Sequence, residues 1–410
     1  MSAINLQEIS SNATLVTSSN EATAFWRFAP AATALSGSAI REILKVTEQP
    51  DVLSFAGGLP NPAAFPLDAV RRASARVLAD DATGALQYGP TEGYGPLREQ
   101  IAARLSAAGQ PTAAANVLIT TGSQQALDLI GKAFLSPGAA LLAANPSYLG
   151  ALQAFALYQP QVIDLAGDWS AQTAPAAHPA FCYLTPTFAN PDGSTISLAD
   201  RHRLLARLSA AGVPLIEDDP YGDLWIDAPP PTACRALAPE QTLYLGSFSK
   251  ILTPGLRVGY VAGPPAVIAL LTRLKQAADL HTPGLNQRIV ATLLGDGTLD
   301  QHLPPLRALY RQQRDALLAA LDRHLQPYAD WQPPAGGMFA WLRLKDGRDA
   351  TQLFRTALRH KVAFVPGAPF YFADADPSTL RLAYATLPPA AFDEGIGRLA
   401  AALREEAPND

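Results

Sequence analysis

The sequence has little of what several broad classes of protein require. Its 410 residues include two cysteines, Cys182 and Cys234, which lack the paired spacing of a metal site or a disulfide framework. We therefore expect no bound metal and two buried thiols in a reducing compartment. No run of eighteen apolar residues could span a membrane, and residues 1–24 lack the basic start and apolar core of a signal peptide. These absences predict a cytoplasmic protein with a polar, mobile N-terminal tail.

Positive charge is not in excess either. The 31 lysines and arginines against 36 aspartates and glutamates leave a net charge of −5, which argues against a nucleic-acid partner or an anionic membrane surface. The chain also contains neither G-x-G-x-x-G nor G-x-x-x-x-G-K-[ST], the glycine-rich patterns of nucleotide-dependent enzymes.

The distribution of apolar residues, which make up 48% of the chain with alanine, tyrosine and cysteine counted, predicts a large core divided among domains. From Leu67 to about Leu294, helical patterns alternate with short apolar runs, as in βα units of a mostly parallel, doubly wound sheet. The helical patterns lie at 68–78, 95–106, 124–134 and 198–211, and the apolar runs at 117–120, 140–143, 181–184, 214–216, 242–245 and 258–262. We predict a tail at residues 1–24, an arm at 25–62 with a helix at 40–47, a large α/β domain at 63–298 and a smaller α+β domain at 299–410.

The most informative stretch is 243–260, LYLGSFSKILTPGLRVGY. An apolar strand ends in S-F-S-K, which places Lys250 at the carboxyl edge of a sheet, where open α/β sheets bind ligands. The hydroxyls of Ser247 and Ser249 and the guanidinium of Arg257 can hold a phosphate, while a sheltered amine can form a Schiff base with an aldehyde. A lone lysine after a strand is more often a solvated surface residue. A phosphate beside an imine nevertheless describes pyridoxal 5'-phosphate.

Other strand ends carry polar or aromatic residues of matching chemistry. The run I-T-T-G-S-Q-Q-A passes from a strand through Gly122 into a helix, whose N-terminus at Ser123 and Gln124 suits a phosphate, although Ser123 could equally be an ordinary helix cap. Tyr148, in N-P-S-Y, could stack on a planar heterocycle or simply pack in the core. Asn190, in A-N-P-D-G, offers an amide to a ring hydroxyl, although turn chemistry alone also explains an Asn-Pro step.

Three acids, in I-E-D-D-P-Y-G, follow what the pattern predicts to be a buried strand. Like charges repel, so at least one of Glu217, Asp218 and Asp219 needs a cation. A pyridine nitrogen would supply one, since a carboxylate beside it keeps the ring protonated and able to accept electrons. The alternative is a solvated acidic turn.

Together these motifs resemble the fold-type I pyridoxal-phosphate aminotransferases of class I and II, over residues 39 to about 403. Within that family the chain is most similar to the 2-aminoadipate and kynurenine type, through SAIREI, SFAGGLPNP, LQYGPTEGYGPLR, NPSYLGAL, IEDDPY, SFSKILTPGLRVGY, GGMFAWL and VPGAPFYF. The resemblance implies an α/β fold with a large mostly parallel sheet domain, a smaller α+β domain and a homodimer with shared active sites.

The resemblance also implies a role for individual residues, as follows. Lys250 forms the Schiff base, Asp218 faces the pyridine nitrogen, Asn190 and Tyr221 reach the ring oxygen, Tyr148 stacks on the ring, and Gly122, Ser123, Gln124, Ser247, Ser249 and Arg257 surround the phosphate. Tyr88 reaches the neighbouring subunit's phosphate, Arg381 binds the substrate α-carboxylate, Arg41 meets a distal carboxylate, and Gly58 and Phe339 complete the substrate pocket. Asp192 departs from the family, because relatives commonly carry threonine there; the departure affects the turn behind Asn190.

The activity implied is transfer of an amino group from 2-aminoadipate, an aromatic or a long apolar amino acid to 2-oxoglutarate or a similar 2-oxo acid, in a ping-pong cycle. A lyase, decarboxylase or synthase on the same fold is an alternative, since fold does not settle reaction type. A transcription regulator is a weaker one, because about 24 residues precede Phe25, too few for a winged helix. Arg41 could also be a solvated helix arginine paired with a neighbouring acid.

Overall fold

The structure is a computed structural model that describes residues 25–33, 35, 37, 43, 51–167, 169 and 178–406. The N-terminal tail at residues 1–24 and Arg41 lie outside the described residues. So does the helix predicted at residues 40–47, apart from Ile43.

Within the described residues, the strands in chain order are Leu53–Ser54 (β1), Val117–Thr120 (β2), Ala140–Ala143 (β3), Gln161–Asp164 (β4), Phe181–Leu184 (β5), Leu215–Asp219 (β6), Thr242–Ser247 (β7), Gly259–Ala262 (β8), Ala329–Trp331 (β9), Phe339–Leu344 (β10), Val362–Ala363 (β11), Val365–Pro366 (β12) and Thr379–Ala383 (β13). The α-helices are Pro30–Thr33 (α1), Leu67–Asp80 (α2), Ala82–Leu86 (α3), Gly95–Ala107 (α4), Ser123–Phe134 (α5), Leu149–Ala156 (α6), Leu198–Ala210 (α7), Cys234–Leu237 (α8), Pro265–Asp279 (α9), Gly284–Gly295 (α10), Thr298–His324 (α11), Ala350–Arg359 (α12) and Ala390–Glu405 (α13).

The larger sheet has seven strands in the order β2-β8-β7-β6-β5-β3-β4. All neighbours are parallel except β8, which runs antiparallel to both β2 and β7. Strands β2, β3, β5 and β7 are buried along their whole length, as expected for apolar runs in a sheet covered on both faces. This arrangement confirms the predicted α/β class with a mostly parallel sheet.

Strand β6 corrects the sequence analysis. The apolar pattern placed the end of this strand at Ile216, with the acids in a following turn. Instead β6 continues through Glu217 and Asp218 to Asp219, and the first two of these acids are almost completely buried. The strand can continue because hydrogen-bond donors meet these carboxylates inside the protein, as the site below shows.

The smaller sheet is antiparallel, in the order β12-β13-β10-β9. A two-stranded parallel pair, β1 with β11, lies alongside. The chain after β1 is bound to the small sheet, since Ala383 donates its N–H to the Phe55 carbonyl at 2.7 Å. The segment 53–61 therefore lies against the small sheet, and its Gly58 carbonyl also accepts a hydrogen bond from Lys250, which follows β7 of the larger sheet. No helix in the described part of the chain has the length and apolar character needed to cross a membrane.

Candidate active site

A cavity of about 310 Å³ lies at the carboxyl ends of β5, β6 and β7 and reaches the small sheet. Its size is within the usual range of small-molecule sites. The residues around it that the sequence pointed to are Gly58, Ser123, Gln124, Tyr148, Asn190, Asp218, Tyr221, Ser247, Ser249, Lys250, Arg257, Phe339 and Arg381. The lining residues that the sequence analysis missed are Leu59, Thr185, Pro220 and Pro254.

Lys250 follows β7 and its side chain turns into this cavity. Its Nζ donates to the carbonyl oxygen of Gly58 at 2.9 Å. Burial, together with the nearby positive charges of Arg381 and Arg257, lowers the pKa of Lys250 to about 8. A lysine with such a pKa is partly neutral near pH 7, and only the neutral amine is a nucleophile.

The two acids that flank Asp218 are each held by other groups of the protein. Glu217 accepts the backbone N–H groups of Cys234 and Arg235 at 2.9 and 2.8 Å. Asp219 accepts the hydroxyl of Tyr244 at 2.9 Å. Burial raises the pKa of both carboxyls, to about 7 for Glu217. Glu217 and Asp219 therefore both have hydrogen-bond donors within the protein, and neither carboxylate needs a ligand.

Asp218 differs from its neighbours. Its Oδ2 accepts the hydroxyl of Tyr183 at 2.8 Å, while Oδ1 is buried and has no hydrogen-bond partner among the described residues. Burial raises the pKa of Asp218 to about 7, although the Tyr183 hydrogen bond lowers it. An unpartnered oxygen on a carboxyl group that lines a cavity is costly unless a ligand supplies a donor.

The turn before α5 lies next to the part of the cavity that Ser123, Gln124 and Arg257 line. Gly122 is the N-cap of α5 and has a φ of 75°. Among the described residues no side chain caps this helix, so N–H groups of its first turn are available to a ligand. A Cβ on Gly122 would lie 2.5 Å from Nη2 of Arg257, so only glycine leaves room for the guanidinium. Because Ser123 is the first helical residue, it does not act as the cap that the sequence allowed.

Arg381 on β13 lies at the opposite end and is 1% exposed. Its guanidinium lies 4.2 Å from the ring centre of Phe339 and 5.1 Å from that of Phe370. It donates to Asn190 Oδ1 at 2.6 Å and to the Ala56 carbonyl at 2.9 Å, while its Nε has no partner among the described residues. Burial lowers the pKa of Arg381 to about 10, so it remains charged at neutral pH. This buried cation faces the cavity and can bind an anion.

Tyrosines form the remaining walls. Tyr221 is packed edge-on against Phe339, with ring centres 5.9 Å apart, and Tyr148 follows β3 at the start of α6. Burial raises the pKa of both phenols, so both remain protonated donors at neutral pH.

Two predicted site residues that the structure describes, Tyr88 and Gly122, do not line the cavity. Tyr88 is 78% exposed and contacts the ring of His281. Gly122 lies behind Arg257, and Arg41 lies outside the described residues. Sequence reasoning also missed Tyr183 and Phe370. Strand alternation could have indicated Tyr183, but its contact with Asp218 depends on strand register.

The model of the family "Aminotransferase class I and II" matches residues 50–399. The chain belongs to the class I and II aminotransferases. A 2-aminoadipate transaminase from Thermus thermophilus is 44% identical over 388 residues, which cover 92% of this chain and 96% of that protein.

Two solved structures extend the comparison. An α-aminoadipate aminotransferase from Thermus thermophilus, complexed with N-(5'-phosphopyridoxyl)-L-leucine, has a TM-score of 0.85 at 43% identity, over 92% of this chain and 97% of that one. A kynurenine aminotransferase from Pyrococcus horikoshii, in complex with PMP, has a TM-score of 0.89 at 38% identity, over 93% and 98% of the two chains.

This aminotransferase uses pyridoxal phosphate, and the cavity fits that cofactor on three independent grounds. The free Oδ1 of Asp218 can accept a proton donor such as a pyridinium, the uncapped N-terminus of α5 beside Arg257 can hold a phosphate, and the Lys250 amine lies at the same cavity. When bound, the cofactor supplies an aldehyde for amino-group exchange and a ring that accepts electrons.

Proposed function

We propose that this aminotransferase transfers the amino group of 2-aminoadipate, aromatic or long apolar amino acids to 2-oxoglutarate or a similar 2-oxo acid, in two successive half-reactions. The observation that carries this proposal is Arg381, a buried guanidinium that lines the cavity and pairs with no carboxylate among the described residues. The named activities of the relatives, on 2-aminoadipate and kynurenine, support the same range of donors.

Each lining group would contribute one function. Arg381 would bind the α-carboxylate through parallel N–H groups, and Lys250 would anchor the cofactor and then carry the Cα proton on Nζ. Asp218 would hold a proton on the pyridine nitrogen, while Asn190 and Tyr221 would donate to the ring oxygen. Tyr148 would cover the ring face.

The phosphate would lie against Ser123, Gln124, Ser247, Ser249 and Arg257, with Gly122 leaving room for the guanidinium. The first five of these residues line the cavity, and Gly122 contacts Arg257 from outside it. Gly58 and Phe339 would line the substrate side, where a Cβ on Gly58 would meet the Phe339 ring at 2.9 Å. The apolar surfaces there suit an aromatic or aliphatic side chain.

We propose Arg41 as the partner of a distal carboxylate, on the strength of the SAIREI motif. It would bind the distal carboxylate of 2-oxoglutarate and 2-aminoadipate. Leucine-like donors lack this group, so their binding would not depend on Arg41. Arg41→Ala should therefore raise KM for the dicarboxylic substrates and barely change the half-reaction of an aromatic donor. Equal losses for all donors would show a structural role for Arg41.

We also propose a cytoplasmic homodimer with shared active sites, in which Tyr88 reaches the phosphate of the neighbouring subunit. The exposure of Tyr88 in the single chain, at 78%, supports this assignment. We also propose a division into a large domain at residues 63–298 and a small one at residues 299–410. The strands of the seven-stranded and four-stranded sheets lie on either side of this boundary, which supports the proposal.

The proposal is tested by 2-oxoglutarate-dependent formation of glutamate from a panel of amino acids, followed by the change in cofactor absorbance in each half-reaction. Arg381→Met should lose at least about 100-fold in kcat/KM for every donor, because each has the same α-carboxylate. Arg343→Met, on the neighbouring strand β10 and 65% exposed in its side chain, is the matched control and should retain activity. Release of carbon dioxide or ammonia without glutamate would support the lyase or decarboxylase alternative instead.

A further inference from the structure

Asp218 depends on one side chain for its orientation. Within the described residues its carboxylate accepts a single side-chain hydrogen bond, from the Tyr183 hydroxyl to Oδ2 at 2.8 Å. The other oxygen, Oδ1, is buried without a partner. Tyr183 therefore determines which oxygen of Asp218 is left for a ligand.

The position of the Tyr183 hydroxyl is itself fixed by the fold. Tyr183 is opposite Ile216 in the parallel pairing of β5 with β6, so Asp218, two residues farther along, lies on the same face of the sheet. The Tyr183 ring is packed edge-on against Phe155 of α6, with centres 5.7 Å apart, and the residue is 1% exposed. Because a phenol oxygen lies on the ring axis, this packing holds the donor at one point.

We propose that Tyr183 is a positioning residue for transamination, whose hydroxyl turns Oδ1 of Asp218 toward the cavity and stabilises its ionised form. This inference rests on the proposed role of Asp218. A hydrogen bond donated to a carboxylate favours the charged form. A proton shared between Asp218 and the pyridine nitrogen would therefore stay on nitrogen, where it makes the ring a better electron acceptor. Without the hydroxyl, the carboxyl oxygen would compete for that proton.

The chain offers a matched control on the adjacent residue. Tyr244 donates to Oδ2 of Asp219 at 2.9 Å, from strand β7, and is also buried. Tyr183→Phe and Tyr244→Phe each remove one buried phenol hydroxyl from an aspartate of β6. They differ in whether that aspartate lines the cofactor cavity.

The test uses holoenzyme reconstituted with pyridoxal phosphate that carries ¹⁵N in the ring, since the nitrogen resonance reports its protonation directly. Spectra are compared for wild type, Asp218→Asn, Tyr183→Phe and Tyr244→Phe at one pH. We expect Asp218→Asn to shift the resonance toward that of unprotonated pyridine, Tyr183→Phe to shift it part of the way, and Tyr244→Phe to leave it unchanged. Tyr183→Phe should also lower kcat by roughly 10-fold to 100-fold with little change in KM.

A second variant keeps the test decisive if Tyr183→Phe folds poorly. Incorporation of 3-fluorotyrosine at position 183 preserves the packing and makes the hydroxyl a stronger donor, so the resonance should move away from the unprotonated value. If Asp218→Asn moves the resonance but neither change at position 183 does, this inference is overturned and the role of Asp218 stands. If Asp218→Asn itself moves nothing, the proposed role of Asp218 fails. An equal shift in Tyr244→Phe would show a general effect of lost hydroxyls and would also overturn the inference.

Discussion

Replacing Asp218 by asparagine should stabilise the cofactor-free protein above neutral pH, although it removes a residue proposed to be essential for activity. The carboxyl is 2% exposed, and burial raises its pKa from 3.8 to about 7. In the unfolded chain it ionises near 3.8. The ionised carboxylate therefore costs folding free energy that grows as pH rises from 3.8 to about 7 and is constant above.

The size of this cost follows from the two pKa values. A pKa of about 7 in place of 3.8 corresponds to about 4 kcal/mol at pH 8. Near pH 4 the same calculation gives a cost in folding free energy of less than about 1 kcal/mol. Asparagine keeps an oxygen for the Tyr183 hydroxyl and carries no charge at any pH. For a chain of 410 residues, about 4 kcal/mol raises the melting temperature by roughly 5 °C.

Thermal unfolding of the cofactor-free wild type and Asp218→Asn at pH 4 and pH 8 measures this difference. Asp219→Asn is the control, and its gain should be smaller because donors from Tyr244 and Gly222 already meet Asp219. Added pyridoxal phosphate should reverse the order of the two melting temperatures at pH 8, since it should bind the wild type more tightly than Asp218→Asn and tighter binding gives greater stabilisation. Asp218→Asn should also slow Cα proton removal by orders of magnitude, and Asp219→Asn much less. A melting temperature for Asp218→Asn at pH 8 equal to or below that of wild type would refute the argument that burial of this carboxylate is only partly compensated.

Three further predictions concern the cofactor. Because the pKa of Lys250 is lowered to about 8, the rate of cofactor capture by the cofactor-free protein, followed by stopped-flow absorbance, should rise through pH 8 and level off about one pH unit higher. Lys250→Ala should abolish both the borohydride-trapped label and turnover, and label at Lys132 or Lys275 instead would contradict the assignment. Gly122→Ala should weaken cofactor binding at least 10-fold, because the new methyl group would displace Arg257. Gly138 is the control: it also has a positive φ, but a Cβ there would meet nothing within 4 Å, so Gly138→Ala should only lower stability by about 1 kcal/mol. Equal cofactor affinity in the two variants, measured by equilibrium dialysis, would refute the steric argument.

The elements that the sequence predicted well are those whose local pattern decides their structure. Buried strands such as β2, β3 and β5 and the helices α4 and α7 have the predicted bounds within a residue or two. The split of residues 362–366 into β11 and β12 and the short strands β4 and β9 were not predicted. Strands β9, β11 and β12 contain only two or three residues each. Strand β4 lies at the sheet edge and has no buried residue, so it lacks the continuous apolar run that marks the other strands.

In the site, too, residues marked by a local sequence pattern were predicted, and contacts that depend on the fold were not. Residue types that follow a strand, such as Lys250, Arg257 and Asn190, were found because the carboxyl ends of parallel strands meet at one edge. Contacts that depend on register were missed, including Tyr183 with Asp218. Strand β6 was ended too early because three consecutive acids look incompatible with burial until their donors are known.

The segment 53–61 has a consequence for how this enzyme can be dissected genetically. Its carbonyl groups at Ala56 and Gly58 accept from Arg381 and Lys250, so the backbone itself orients the two side chains at opposite ends of the cavity. An alanine scan would not detect this, because position 56 already carries alanine and Gly58→Ala would act by displacing the Phe339 ring. The contribution of these carbonyl hydrogen bonds could be measured only by changing the main chain, for example through semisynthesis with an ester in place of an amide. At these two positions the hydrogen bonds depend on the path of the polypeptide, so a comparison of side chains alone would not reveal them.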